Sequence, residues 1–295
     1  MIVGAVDIGT NSMRLLVVDG DRELHRAVEV TGLGAGVDRT GRFDATRVAA
    51  TLEVLDRYGD TMDRLGVARR RAVATSATRD AADGPAFVDQ AERILGVRPE
   101  IIQGHQEAEL SFRGATARIR DCSSAVVIDI GGGSTEFVYG SDTVEYSTSI
   151  DLGSVRLTER ALPSRPASVL EIESARTAAA RAFEGVRLPG LPECAIGVAG
   201  TFTSLAAIAL GLDTYDRDRV DGTVLRAEDL SAVVERLAAM TFEETAAIPS
   251  IDPKRAPVIL AGAVIAEASL VATDINRVTV SEHDLLDGLV LSPIA

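Results

Sequence analysis

The sequence predicts a mixed α/β protein of two domains, on three observations. First, one glycine-rich phrase is spelled twice, as Asp7-Ile8-Gly9-Thr10-Asn11-Ser12 and as Asp129-Ile130-Gly131-Gly132-Gly133-Ser134. Each copy lies between short apolar runs, which is the pattern of strand, glycine turn and strand in a hairpin. Second, each copy is followed by alternating helix and strand signals, the order of a mixed sheet. Third, 295 residues are enough for roughly two domains, and the two copies stand about one small domain apart.

In the first half, a hairpin runs from Ile2–Val6 to Leu15–Val18. Asp44–Leu65 carries Val48, Leu52, Leu55, Met62 and Leu65 at helical spacing and stops at Gly66. Arg71–Ser76 reads as a strand running into a polar turn over Thr75–Asp80. A helix over Phe87–Leu95 stopped by Gly96, a strand over Pro99–Ile102 and a helix over Gln106–Arg118 follow. The weakest join is Ile119–Ser123. The second half opens on the hairpin Ala125–Ile128 and Phe137–Tyr139, then a strand near Val144–Ile150 and a helix over Ser168–Phe183. Ala195–Ala199 is a strand that ends in a glycine turn at Gly200-Thr201 and enters the helix Phe202–Leu210. Helices over Ala227–Met240 and Pro257–Ala272, a strand over Arg277–Ser281 and a helix over Asp284–Leu291 complete the chain. The apolar helix Val258–Val271 reads either as core or as an interface.

Composition narrows the function. With 46% hydrophobic residues the chain is globular. No apolar run is long enough to span a membrane and the N-terminus lacks a secretory pattern, so a cytoplasmic protein with no membrane partner is expected. The net charge of −14 argues against nucleic acid as a partner and requires any polyanion to be met by local arginines and a metal. Cys122 and Cys194, far apart in sequence, read as two ordinary buried thiols. His25, His105 and His283 are scattered and suggest neither a metal cage nor a catalytic triad.

What remains is phosphate chemistry. Glycine turns let backbone N–H groups close on an anionic oxygen, so Gly9, Thr10, Asn11 and Ser12, with Gly131, Gly132, Gly133 and Ser134, are candidate phosphate-binding residues. The hydroxyls of Thr10, Ser12 and Ser134 add donors. Asp7 and Asp129, at strand ends, suit magnesium or its water shell, and Glu136 lies nearby on the outgoing strand on the same face as Ser134. As an alternative, strand-end aspartates simply cap a tight turn. Arg79 is a phosphate clamp or a surface ion pair with Asp80 or Asp83. Arg14 either faces the site or points to solvent, while Arg69–Arg71 and Arg217–Arg219 read as solvated loops. Gly200 and Thr201 open a helix, where orphan N–H groups and the dipole favour an anion.

With these residues in view, the chain resembles the exopolyphosphatase/guanosine pentaphosphate phosphatase family, of the actin-like, Hsp70-like and sugar-kinase-like ATPase superfamily. Six motifs in order carry the resemblance: Asp7–Leu15, Thr75–Ala81, Gly104–Ala108, Asp129–Glu136, Gly153–Arg156 and Gly197–Thr201. It implies two ribonuclease-H-like domains with an active site in the cleft between them. It places 1–121 plus about 286–295 in the first domain and 122–285 in the second. It implies removal of the terminal phosphate from inorganic polyphosphate with Mg²⁺ (or Mn²⁺), or of the 5′ terminal phosphate from guanosine pentaphosphate. Glu107 matches the family's catalytic glutamate; without the resemblance it would read as a helix-start residue favoured by the dipole. Gly200 and Thr201 match the superfamily's adenosine motif, and a homodimer through the second domain is implied. Longer relatives carry a further helical domain after this point, which leads to an expected preference for short polyphosphates. Two departures stand out: Gln106 where relatives often have an acidic residue, and Pro257 in place of another. A superfamily kinase and a non-catalytic polyphosphate or alarmone sensor are the competing readings.

Overall fold

The computed structural model describes residues 1–117 and 122–292. The chain divides into two compact units, Met1–Gly114 with the C-terminal segment from Leu285, and Ala115–Asp284. The predicted join at Ile119–Ser123 lies mostly outside the described residues.

The first unit opens on the predicted hairpin, β1 (Ile2–Ile8) and β2 (Ser12–Asp19), whose register sets Asp7 opposite Arg14. An unpredicted strand, β3 (Arg22–Val30), returns beside β2. It forms the sheet edge, so Arg22, Glu23, Arg26 and Glu29 interrupt its apolar pattern without leaving a charge in the core. After the short helix α1 (Val37–Thr40) comes α2 (Ala45–Arg64), whose N-cap Asp44 accepts the Arg47 N–H at 3.0 Å. Then follow β4 (Arg69–Ala74), α3 (Ser76–Asp80), α4 (Gly84–Leu95), β5 (Glu100–Ile101) and α5 (Gly104–Thr116). Five-residue α3 occupies the predicted polar turn, and β5 is shorter than predicted. Sheet order is β3-β2-β1-β4-β5, with β4 and β5 parallel to β1. One face packs Val6, Ile8, Met13 and Leu15 against Leu55, Tyr58, Met62, Phe87 and Leu95 from α2 and α4.

In the second unit, β6 (Ala125–Ile130), β7 (Thr135–Gly140) and β8 (Val144–Ile150) form a meander. Next come α6 (Ser154–Ala161), α7 (Val169–Phe183), β9 (Cys194–Val198), α8 (Ala199–Ala209), α9 (Arg217–Val220) and β10 (Val224–Arg226). Helices α10 (Ala227–Ala238), α11 (Phe242–Ala246) and α12 (Ile259–Ala272) precede β11 (Arg277–Val280). Of the two segments read as solvated loops, Arg69–Arg71 opens β4 and Arg217–Arg219 lies in the short helix α9. The sheet runs β10-β11-β9-β6-β7-β8. Traced from β8, the order β8-β7-β6-β9-β11 repeats the first unit strand for strand, and β10 is an addition at the edge. The duplicated phrase is therefore the visible part of a duplicated sheet. Apolar but for Glu267 and Ser269, α12 is largely buried by α6, α7, α8 and α10, so it belongs to the core.

The opposite face of the first sheet is covered by α13 (Leu285–Leu291), which packs Leu285, Leu286 and Leu289 on Ala5, Leu16 and Val73. Arg26 grips both oxygens of Asp287 at 3.0 and 3.1 Å, and Arg71 donates to the Leu289 carbonyl at 3.1 Å. No helix among the described residues is long and apolar enough to cross a membrane.

The cysteines correct the sequence reading. Cys122 and Cys194 are half-buried and joined as a disulfide, with Cα atoms 6.1 Å apart. Parallel pairing of β6 with β9 sets Ala125 opposite Cys194, so the strands bring together residues 72 positions apart. Thiol titration of the denatured, unreduced protein is expected to find no free cysteine; two titratable thiols would overturn the pairing.

Candidate active site

Both glycine turns are built alike. In the first, the Gly9 N–H closes on the Ser12 carbonyl at 3.1 Å; in the second, the Gly131 N–H closes on the Ser134 carbonyl at 3.0 Å. The Thr10 carbonyl accepts the N–H of Gly34 (2.7 Å), and the Asn11 carbonyl those of Thr31 (3.1 Å) and Gly32 (2.9 Å). In the second unit the start of α6 does the same work: Ser154 and Val155 donate to the carbonyls of Gly131 (3.0 Å) and Gly132 (2.9 Å). A trans peptide sets each carbonyl opposite the following N–H. With the carbonyls turned toward these segments, the N–H groups of Asn11, Ser12, Gly132 and Gly133 point the other way, as an anion cradle requires.

Gly153 permits the second arrangement. A Cβ there would lie 2.5 Å from the Gly133 nitrogen, and backbone cannot rotate aside. Gly153→Ala is expected to destabilise the protein by about 1–3 kcal/mol, read as a lowered thermal midpoint. An unchanged midpoint would show that α6 does not wedge against the turn.

In the first unit the side chains divide their work. Asn11 and Ser12 are half-buried in the turn. The Thr10 hydroxyl accepts the Ala77 N–H at 3.2 Å and hydrogen-bonds Ser76 Oγ at 2.7 Å, at the start of α3. Arg14 settles on Asp7, with Nε and Nη2 both 2.7 Å from Oδ2, so the aspartate assigned to a metal already holds a cation. Arg79 donates to the Ile102 carbonyl at 3.0 Å and lies 3.9 Å from Asp80. Glu107 is buried in the first turn of α5. The neighbouring Gln106 accepts the Gln103 N–H through Oε1 at 2.8 Å. This cap needs only an oxygen acceptor, which explains how an amide replaces an acid there.

In the second unit Asp129 and Glu136 stand directly opposite on β6 and β7, both buried, and Ser149 donates to Glu136 Oε1 at 2.7 Å. Ser134 is buried in the turn. The predicted glycine turn at Gly200-Thr201 is already helix. The bend falls one residue earlier, at Ala199 with φ 66°, a left-handed conformation uncommon outside glycine and often found at functional sites. Thr201 Oγ1 donates to the Ile130 carbonyl at 2.9 Å and so ties α8 to the second glycine turn. Gly200 makes room for a residue the sequence did not single out: a Cβ there would lie 2.7 Å from Arg255 Cζ. Fifty-odd residues separate this arginine from its site, and no spacing signal marks it. The Asp7–Arg14 pair, by contrast, could have been read from a hairpin closed across Gly9–Ser12. Pro257 follows a 3₁₀ turn ahead of α12, and nothing in the structure explains its choice.

No group of three His, Cys, Asp or Glu residues suited to a metal occurs among the described residues. Magnesium is commonly held by one or two carboxylates, with water and substrate oxygens completing the shell. The opposed pair Asp129 and Glu136 fits that donor set; Asp7, bound to Arg14, fits it less well.

Comparison with known proteins agrees with these motifs. The family model of the Ppx/GppA phosphatase family matches residues 17–294. The chain is 39% identical to Exopolyphosphatase 2 of Mycobacterium tuberculosis, over 98% of each chain. It is 31% identical to Exopolyphosphatase 1 of Mycobacterium bovis, over 99% of this chain and 88% of that one. Among solved structures, an exopolyphosphatase-like protein is 38% identical with a TM-score of 0.93, covering 99% of this chain and 98% of that one. The Ppx/GppA family member of Aquifex aeolicus is 29% identical with a TM-score of 0.82, covering 98% and 96%. The fold is thus the α/β fold of these Ppx/GppA structures, with a mixed sheet in each of two compact units. By the family match and these identities, the chain belongs to the Ppx/GppA phosphatase family.

Proposed function

We propose that this protein is an exopolyphosphatase, which hydrolyses the terminal phosphoanhydride of inorganic polyphosphate. The observation that carries the reading is the nearly full-length, 39% identity to a protein of that name, joined to a buried Glu107 and two glycine turns closed by the same N–H to carbonyl bond. Water attacks the terminal phosphorus in line, the P–O bond to the chain breaks, and the shortened polyphosphate leaves as an oxyanion. Glu107 accepts the proton that the water loses. The N–H groups of Asn11, Ser12, Gly132 and Gly133 bind phosphate oxygens, and the Arg255 guanidinium offsets their charge. Magnesium or manganese, when bound, supplies charge neutralisation and Lewis acidity, and Asp129 and Glu136 are the residues that would hold it.

Guanosine pentaphosphate presents the same triphosphate-like end, so it is the alternative substrate. The test is phosphate release with Mg²⁺ from short polyphosphate, long polyphosphate, guanosine pentaphosphate and ATP, with Glu107→Gln as control. Fast release from polyphosphate that the variant loses supports the reading, and rates that rise toward very long polymers overturn the expected preference for short ones. Release only from guanosine pentaphosphate replaces the substrate. Tight binding without release indicates a sensor, and ATP use only with an acceptor indicates a kinase. A homodimer is part of the proposal and predicts a solution mass near twice 31.0 kDa. A cytoplasmic location is also proposed.

A further inference from the structure

Hydrogen bonds in the first unit run in one line from the glycine turn to Glu107. The Thr10 hydroxyl bonds Ser76 Oγ and accepts the Ala77 N–H. It stands in for an N-cap side chain, because Thr75, the N-cap residue of α3, makes no side-chain cap of its own. At the far end of α3, Arg79 Nη1 donates to the Ile102 carbonyl at 3.0 Å. Ile102 is buried, and its N–H donates to Ala74 at 3.1 Å. Gln103 comes next, with its N–H on Gln106 Oε1 and its carbonyl accepting the Glu107 N–H at 3.0 Å.

We propose that α3 is a strut, and that Thr10 and Arg79 are positioning residues that set Glu107 at a fixed place relative to the first glycine turn. This deepens the proposed function and rests on it. The physical need is plain. A phosphate oxygen seated on the turn and a water activated by Glu107 must meet in line, and a misplacement of about 1 Å can cost on the order of 10²-fold in rate. The sheet alone gives weak control, since β5 pairs with β4 through only Val73–Glu100 and Ala74–Ile101. Arg79 and Thr10 add one fixed point at each end of α3. On this reading, Arg79 acts through the Ile102 carbonyl and the Thr10 hydroxyl through α3, rather than by gripping substrate.

The test uses Thr10→Val, which keeps the shape and removes the hydroxyl, Thr10→Ser, which restores it, and Arg79→Lys, which keeps the charge and loses the planar fork. Thr10→Val and Arg79→Lys are each expected to lower kcat by about 10- to 100-fold, with KM changed less than about threefold. Thr10→Ser recovers most of the loss. The double variant falls no more than about threefold below the worse single one, because either change already releases the strut. A second readout needs no substrate: amide hydrogen exchange at Gln106–Ala108 quickens in both single variants while the thermal midpoint stays near wild type. A raised KM with kcat unchanged, or unaltered exchange at α5, overturns the proposal. Should the wild type release no phosphate, the proposed function fails, while the exchange result still decides the strut.

Discussion

Glu107→Gln is expected to lower phosphate release from polyphosphate by about 10²- to 10⁴-fold, the range over which a positioned general base contributes. The substitution is nearly isosteric, so the start of α5 keeps its shape: Gln103 still receives the Glu107 backbone N–H and still donates to Gln106. What disappears is the acceptor for the proton of the attacking water. The loss should fall on kcat with KM little altered, because the group acts when the proton moves and not when the phosphate binds. Glu107→Asp retains the carboxylate but draws it back by one methylene, and an intermediate rate is expected. Circular dichroism and the thermal midpoint check the fold. A rate for Glu107→Gln within about threefold of wild type would remove this residue from the mechanism.

The second large effect concerns Asp129. It faces Glu136 across antiparallel strands, and both carboxylates are buried, at 5% and 0% exposure. Like charges directly opposite one another on strands destabilise, and burial sharpens the repulsion. Such a pair is favoured by a compensating positive charge, and a divalent cation can supply it. Millimolar Mg²⁺ is therefore expected to raise the thermal midpoint of the wild type through binding to the folded state. Asp129→Asn should abolish that rise. Phosphate release should fall by about 10²-fold or more, as expected when several kcal/mol of transition-state charge stabilisation are removed. Equal midpoints with and without Mg²⁺ in the wild type would return Asp129 to the role of a turn cap.

How legible the molecule was in its sequence depended on the kind of signal. The two hairpins stood out because a glycine turn between apolar runs marks both strands and their connection at once. Long helices such as α2 and α12 declared themselves by periodicity or by nearly continuous apolar character. Short elements did not. Five-residue α3 and three-residue β10 are too brief for a period to show, and edge strand β3 carries charges that break its alternation. Individual site residues were named where a motif held them, yet their duties depend on contacts that only folding creates. Thr10 reads as a hydroxyl donor to phosphate and Thr201 as an N–H donor; folding also sets the Thr10 hydroxyl on α3 and the Thr201 hydroxyl on the Ile130 carbonyl. Arg255 and the Cys122–Cys194 pair are long-range neighbours, and their proximity is set by strand order and helix packing.

In the proposed function main-chain amides are the recognising groups, and the Thr10, Asn11, Gly131 and Gly132 carbonyls of the two turns are spent on the protein. An amide reads the geometry and charge of an oxyanion and is blind to the element at its centre. Such a surface should accept orthovanadate, arsenate and tungstate almost as readily as phosphate, so these anions should act as inhibitors competitive with substrate. It also shields recognition from mutational drift. Side chains at Asn11 or Ser12 can change while the ligand-facing atoms stay the same, whereas substitutions that move the backbone, at Gly153 above all, strike recognition directly.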